Sequence, residues 1–196
     1  MNIKREQRPS ALFYLKGGTS MKYAQVFICD VANGPGCRTS LFVSGCTHHC
    51  KECFNEVAWD FSYGKDFTPE VEDMLISETN HPYISGITIL GGEPMEVVNQ
   101  KALRPFIERV RQELPDKDIW IYSGYTWEEL NDANNQRCHS EDTDAILSMI
   151  DVLVDGEFVA AQKNVSLTFR GSTNQRIIDV SQTRASGSVV LSGYNR

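Results

Sequence analysis

The chain has 196 residues, 41% of them apolar and 23% charged, and a formal net charge of -7. That fits one soluble globular domain long enough to bury a core, and the negative sum leaves no electrostatic footprint for nucleic acid or an anionic membrane surface. The apolar runs are too short to span a bilayer, and the N-terminus lacks the apolar stretch and small-residue cleavage site of a signal peptide. The expectation is a cytoplasmic protein with neither membrane nor nucleic-acid partners.

In chain order, residues 1–20 are polar, with Gly17-Gly18-Thr19-Ser20 just ahead of a second methionine, Met21. They read as a loosely held extension. The main domain is expected over 21–178, and a C-terminal tail over 179–196. Residues 23–30 form a predicted strand, with Val26 and Ile28 on one face. Asn33-Gly34-Pro35-Gly36 is a turn signal. A short buried strand is predicted over 39–43, and it runs through Ser44-Gly45 into Cys46-Thr47-His48-His49-Cys50-Lys51-Glu52-Cys53.

Those cysteines are spaced C-x3-C-x2-C with no fourth nearby. Iron–sulfur clusters are usually held by four thiolates. Three on one short loop would hold three corners of a 4Fe-4S cube and leave one iron open to a substrate or cofactor. Structural zinc favours two separated ligand pairs, and no second C-x2-C pair exists here. His48 or His49 reaching the same ion would strain the loop. Cys46, Cys50 and Cys53 are therefore the candidate cluster ligands, and Cys29, Cys37 and Cys138 read as small buried hydrophobes.

Further on, Thr68-Pro69 opens a predicted helix to about residue 77. The β-branched run 86–90 is a predicted strand that ends at Gly91-Gly92-Glu93-Pro94. A helix over about 99–114 follows, its regular part expected to start at Pro105. Then come a strand over 118–122, the turn Ser123-Gly124-Tyr125, and a helix whose capping box is Thr126 with Glu129. Residues 131–143 read as a polar loop, 145–150 as helix and 152–154 as strand, ending at Asp155-Gly156.

Alternating strands and helices imply an α/β domain with a parallel sheet, where ligands sit beyond the carboxyl ends of the strands. The cysteine loop, Gly91–Pro94, Ser123–Tyr125 and Asp155-Gly156 each follow a predicted strand, so they should meet on one rim. Gly91, Gly92 and Glu93 combine close backbone approach with a carboxylate, a pattern suited to an ammonium group. Phe54 is placed to pack near a cluster and an adenine ring, or simply in the core. Ser123 could bond a ribose or carboxylate, or its own turn. Asp155 reads as a turn residue. Arg170–Arg176 could line a site, dock a partner or form a solvated loop.

The cysteine loop followed by Gly-Gly-Glu-Pro resembles the radical S-adenosylmethionine (SAM) superfamily. Asn33–Gly36, Phe42–Cys46, Asp118–Tyr125, Ile150–Phe158 and Arg170–Gln175 extend the likeness to the activating proteins of anaerobic ribonucleoside-triphosphate reductases. The resemblance implies a partial, open (β/α) barrel with parallel strands. It implies a 4Fe-4S cluster on Cys46, Cys50 and Cys53, and SAM contacts from Glu52 through Phe54 and from Gly91, Gly92 and Glu93. The activity implied is reductive cleavage of SAM to a 5′-deoxyadenosyl radical, which makes a glycyl radical on the large reductase subunit. Reduced flavodoxin or a similar carrier would supply the electron. The rival readings are a small radical SAM enzyme acting on a free metabolite and a non-catalytic iron–sulfur electron carrier. The latter would want four cysteines and has no use for Gly91–Pro94. Val190-Leu191-Ser192-Gly193-Tyr194 carries a Ser-Gly-Tyr like the surroundings of radical glycines, which suggests a tail that enters the site as a pseudo-substrate. A second copy at Ser123-Gly124-Tyr125 argues for coincidence.

Overall fold

The structure is a computed structural model that describes residues 21–195; the extension at 1–20 lies outside the described residues. Among the described residues seven strands form one sheet: β1 (Lys22–Asp30), β2 (Cys37–Val43), β3 (Lys65–Asp66), β4 (Ile84–Gly91), β5 (Asp118–Tyr122), β6 (Val152–Asp155) and β7 (Arg176–Asp179). Their spatial order is β3-β1-β2-β4-β5-β6-β7. β2, β4, β5 and β6 run parallel. β1 is antiparallel to both β2 and β3, and β7 is antiparallel to β6. The expected parallel sheet is thus the centre of a mixed, open one. The antiparallel β1–β2 pair is joined by the short turn between Asp30 and Cys37, a connection a parallel pair cannot have, whereas β7 turns back on β6 after the longer segment that closes the cavity.

Among the described residues five α-helices accompany the sheet: α1 (Pro69–Thr79), α2 (Val97–Glu113), α3 (Trp127–Leu130), α4 (Glu141–Met149) and α5 (Val180–Ser186). Side chains alternate across each strand. On one face Leu41, Ile89, Ile121 and Leu153 pack against Leu75 of α1, Phe106 of α2 and Ile146 of α4, all fully buried. On the other face Trp120, Val154 and Ile177 form a smaller cluster with Tyr122 and Phe169. One face is therefore the helix-covered core and the other looks onto the site.

Three boundaries differ from the sequence expectation for identifiable reasons. α2 runs unbroken through Pro105. Leu103, Phe106, Ile107 and Val110 are buried on α2; at roughly 2 kcal/mol each they outweigh the roughly 3 kcal/mol an internal proline costs. α4 starts at Glu141, inside the predicted loop, because the Ser140 side chain accepts from Asp142 N–H and Thr143 completes a capping box. Its acidic first turn, Glu141, Asp142 and Asp144, complements the positive helix end. Thr68 occupies the N-cap of α1 without a side-chain cap bond, whereas the Thr126–Glu129 capping box of α3 is formed as expected.

Beyond β7 the chain folds back on the sheet. Val180 and Thr183 of α5 are buried, and Gly187 ends the helix in the left-handed conformation. Asp179 N–H then donates to the Val190 carbonyl at 2.9 Å and Ser192 N–H to the Ile177 carbonyl at 2.8 Å. Tyr194 packs beside Trp120 and Phe169. Ser192-Gly193-Tyr194 thus lies along β7, and none of the three lines the cavity described below.

Candidate functional site

β2, β4, β5 and β6 end at the same edge of the sheet, and the loops leaving them are bonded to one another. Gly92 N–H donates to the Val43 carbonyl and Glu93 N–H to the Gly45 carbonyl, both at 2.8 Å. Ser123 N–H reaches the Val154 carbonyl at 2.9 Å. The expected gathering of four strand-end loops on one rim is what the structure shows.

The glycines at the end of β4 serve this closure. Gly91 has φ +111°, and a Cβ there would lie 2.8 Å from Val43 backbone atoms; a Cβ at Gly92 would lie 2.6 Å from the Gly45 carbonyl oxygen. Two backbones meet where no side chain fits. The sequence reading assigned this closeness to a ligand, whereas here its first use is to seat the cysteine loop.

Glu93 is 1% exposed. Its carboxylate accepts from Ser123 Oγ at 2.9 Å, Met95 N–H at 2.8 Å and Gly124 N–H at 2.6 Å. Asn99 on α2 donates to the Glu93 and Ser44 carbonyls at 2.9 and 3.1 Å. Glu96 Oε1 accepts from the Thr47 N–H and hydroxyl at 2.7 and 2.6 Å. The start of α2 therefore holds both the cysteine loop and the Gly-Gly-Glu turn. Ser123 spends its one proton on Glu93 and accepts from Tyr125 N–H at 3.1 Å, so it is first a strut within its own turn.

Cys46, Cys50 and Cys53 all line one cavity of about 460 Å³, together with Glu52, Phe54, Gly91, Gly92, Glu93 and Ser123. Every residue singled out as a cluster ligand or SAM contact thus faces the same space. Phe54 is 85% exposed and contributes to the wall, not to the core. Arg170, Gly171 and Gln175 close the cavity from the segment before β7, along with Lys163, Val165, Leu167 and Phe169. The side-chain amides of this segment donate to backbone: Gln175 Nε2 reaches the Gly156 carbonyl at 3.0 Å, and Asn174 Nδ2 reaches the Glu157 carbonyl at 2.8 Å. Asp155 pairs with Arg176 at 2.5 Å and accepts from Trp127 N–H, a structural role as expected.

The donor set suits an iron–sulfur cluster. The three thiols are free of disulfides. Burial pushes the Cys46 thiol up to about 12, with the Glu93 and Glu96 charges adding to the effect. Burial also raises Cys50, followed by the charge of Glu157. Thiols so placed become thiolates only against a positive metal centre.

Two observations lay beyond the sequence reading. His48, considered there only as a zinc ligand, has its ring buried between loops. Its Nδ1 lies 2.5 Å from Glu157 Oε1 and its Nε2 3.1 Å from Glu93 Oε2, the latter too poorly aligned for a hydrogen bond. Burial opposes its charge, but the two carboxylates outweigh that and hold the imidazole above its usual value. No sequence spacing links residues 48, 93 and 157. Second, Cys29 and Cys37 are joined by a disulfide and Cys29 is exposed, so neither is the buried hydrophobe expected. Strand pairing of β1 with β2 brings them together across the 30–36 turn. Cys138 is fully buried, as expected.

Comparison with known proteins agrees with the site. Residues 32–178 match the 4Fe-4S single cluster domain family. The chain is 44% identical to the anaerobic ribonucleoside-triphosphate reductase-activating protein of Vibrio cholerae over 80% of this chain and 97% of the relative. It is 41% identical to the protein of that name from Escherichia coli over 79% and 96%, and 35% identical to that from enterobacteria phage T4 over 80% and 93%. At that identity and coverage, with the cysteine loop and its supporting turns in place, the chain belongs to the family of anaerobic ribonucleoside-triphosphate reductase-activating proteins.

Proposed function

We propose that this protein is a radical SAM activase that installs a glycyl radical on the large subunit of an anaerobic ribonucleoside-triphosphate reductase. The observation that carries the reading is the convergence of three free thiols and the Gly91–Glu93 turn on one cavity. Cys46, Cys50 and Cys53 hold the 4Fe-4S cluster. When bound, cluster and SAM together supply reductive cleavage to methionine and a 5′-deoxyadenosyl radical that accepts a hydrogen atom. The chain's own work is positioning. Gly91, Gly92 and Glu93 seat the methionine end of SAM, and Ser123 keeps Glu93 in place. Glu52 and Phe54 flank the SAM position on the cysteine side. The segment before β7 shields the space from water.

The mixed sheet serves as a partial barrel whose open side admits the partner's glycine. A reduced flavodoxin-type carrier delivers the electron, and the reaction belongs in the cytoplasm. Among the described residues no helix is long and apolar enough to cross a membrane.

The test is anaerobic reconstitution with iron and sulfide, then dithionite and SAM. Methionine and 5′-deoxyadenosine should form, and adding the reductase should give a glycyl radical by electron paramagnetic resonance. Absence of both products would leave an electron carrier. Products without a glycyl radical would point to a metabolite as substrate.

A further inference from the structure

Residues 46–53 form neither helix nor strand. His49 within them has φ +54°, a left-handed backbone that a non-glycine residue adopts only where its surroundings impose it. Such a loop does not by itself fix where three thiols point. The ring of His48, midway between Cys46 and Cys50, is held by loops that leave three different strands. After β4, Glu93 Oε2 lies 3.1 Å from its Nε2. After β5, the Tyr125 ring lies 4.3 Å from the imidazole, centre to centre. Gly124 is the floor of this seat, since a Cβ there would lie 2.7 Å from ring Cδ2 and Nε2. After β6, the Glu157 carboxylate accepts from Nδ1–H at 2.5 Å. The His48 side chain is only 3% exposed.

The seat bears on both neighbouring thiols. The His48 backbone N–H donates to the Cys46 sulfur, and Phe158 N–H, one residue after Glu157, donates to the Cys50 sulfur. A shift of the ring therefore carries the first amide with it, and release of Glu157 frees the second. Nε2 makes no hydrogen bond among the described residues, so the bond to Glu157 is what fixes the orientation of the ring. Hydrogen bonds to the sulfurs tune an iron–sulfur cluster, and groups behind the ligands decide how firmly metal is held.

Resting on the cluster assignment above, we propose that Glu157 is a positioning residue: through His48 it locks the cysteine loop to the segment after β6 and so fixes Cys46 and Cys50 as cluster ligands.

The experiment compares reconstituted wild type with Glu157→Ala, Glu157→Gln and Gly124→Ala, each checked for folding by circular dichroism. Glu157→Ala leaves Nδ1–H without its acceptor, and Glu157→Gln restores an acceptor oxygen without the charge. Gly124→Ala displaces the ring and leaves both carboxylates in place. Iron loss to excess chelator should run about tenfold faster in the two alanine variants and stay within about twofold of wild type in Glu157→Gln. The g values of the reduced cluster by electron paramagnetic resonance should shift in the alanine variants and match wild type in Glu157→Gln. Iron loss at the wild-type rate, or unshifted g values, in a folded alanine variant would overturn the proposal. So would Glu157→Gln losing iron as fast as Glu157→Ala, which would assign the effect to charge instead of the bond. Wild type that takes up no cluster would overturn the cluster assignment and this proposal together.

Discussion

The Ser123 hydroxyl donates to Glu93 Oε1 at 2.9 Å inside a site where Glu93 is 1% exposed. The bond ties the loop after β5 to the loop after β4, and Gly124 N–H and Met95 N–H complete the set around the same carboxylate. Removing the acceptor orphans three buried donors, whereas removing Ser123 leaves Glu93 two backbone partners. Glu93→Ala should therefore cost roughly 3 kcal/mol and Ser123→Ala roughly 1 kcal/mol. Thermal unfolding of the reconstituted proteins should rank them in that order, with SAM cleavage lost in the first and retained in part in the second.

The cysteines divide by environment. Cys50→Ala should lose most of the iron bound by wild type and all SAM cleavage, because two thiols remain for three corners. Cys138 is fully buried, does not line the cavity, and has its Sγ 3.4 Å from the Glu129 carbonyl. Cys138→Ala should keep iron and activity and cost only about 1 kcal/mol for the small cavity. Retained cleavage of SAM in Cys50→Ala would remove the ligand assignment.

The Cys29–Cys37 bridge spans eight residues of sequence. Closing so short a loop restricts the unfolded chain by about 2.5 kcal/mol in the entropy picture. Mass spectrometry of non-reduced peptides should find the two cysteines linked in oxidised protein. Cys37→Ser should lower the stability of that form by no more than this amount while leaving iron content unchanged.

At the far side of the rim, Arg176 donates to the two Glu128 carboxylate oxygens at 3.0 and 2.6 Å. The Arg176 hydrogen bonds hold the Glu128 carboxyl below its ordinary range. A carboxyl lowered on folding adds stability above its unfolded pKa and loses it as pH falls through the folded one. Glu128 is largely exposed, so the gain is under about 1 kcal/mol. Glu128→Gln should unfold a degree or more below wild type at neutral pH, with the gap closing below about pH 4. A gap that persists in acid would mean that the pair acts through packing instead.

Much of this was legible from residues alone. The Cys46–Cys53 spacing is legible from sequence because three cysteines on one short loop are a local fact, and the structure faces all three into one cavity. Asp118–Tyr122 and the Thr126–Glu129 cap are local too, being set by β-branched content and by side chains three residues apart. So is the order of strand and turn, from which the shared rim follows. What only the tertiary structure decided are relations between residues far apart in sequence. His48 lies between Glu93 and Glu157, Asn99 on α2 ties the cysteine loop to the Gly-Gly-Glu turn, Pro105 is carried inside a packed helix, and residues 188–195 return along β7. Spacing along the chain cannot encode these, because each depends on which faces the sheet order brings together and on burial strong enough to override local preference. The cluster loop opens the reading; the loops gathered around it by the parallel strands make it a site.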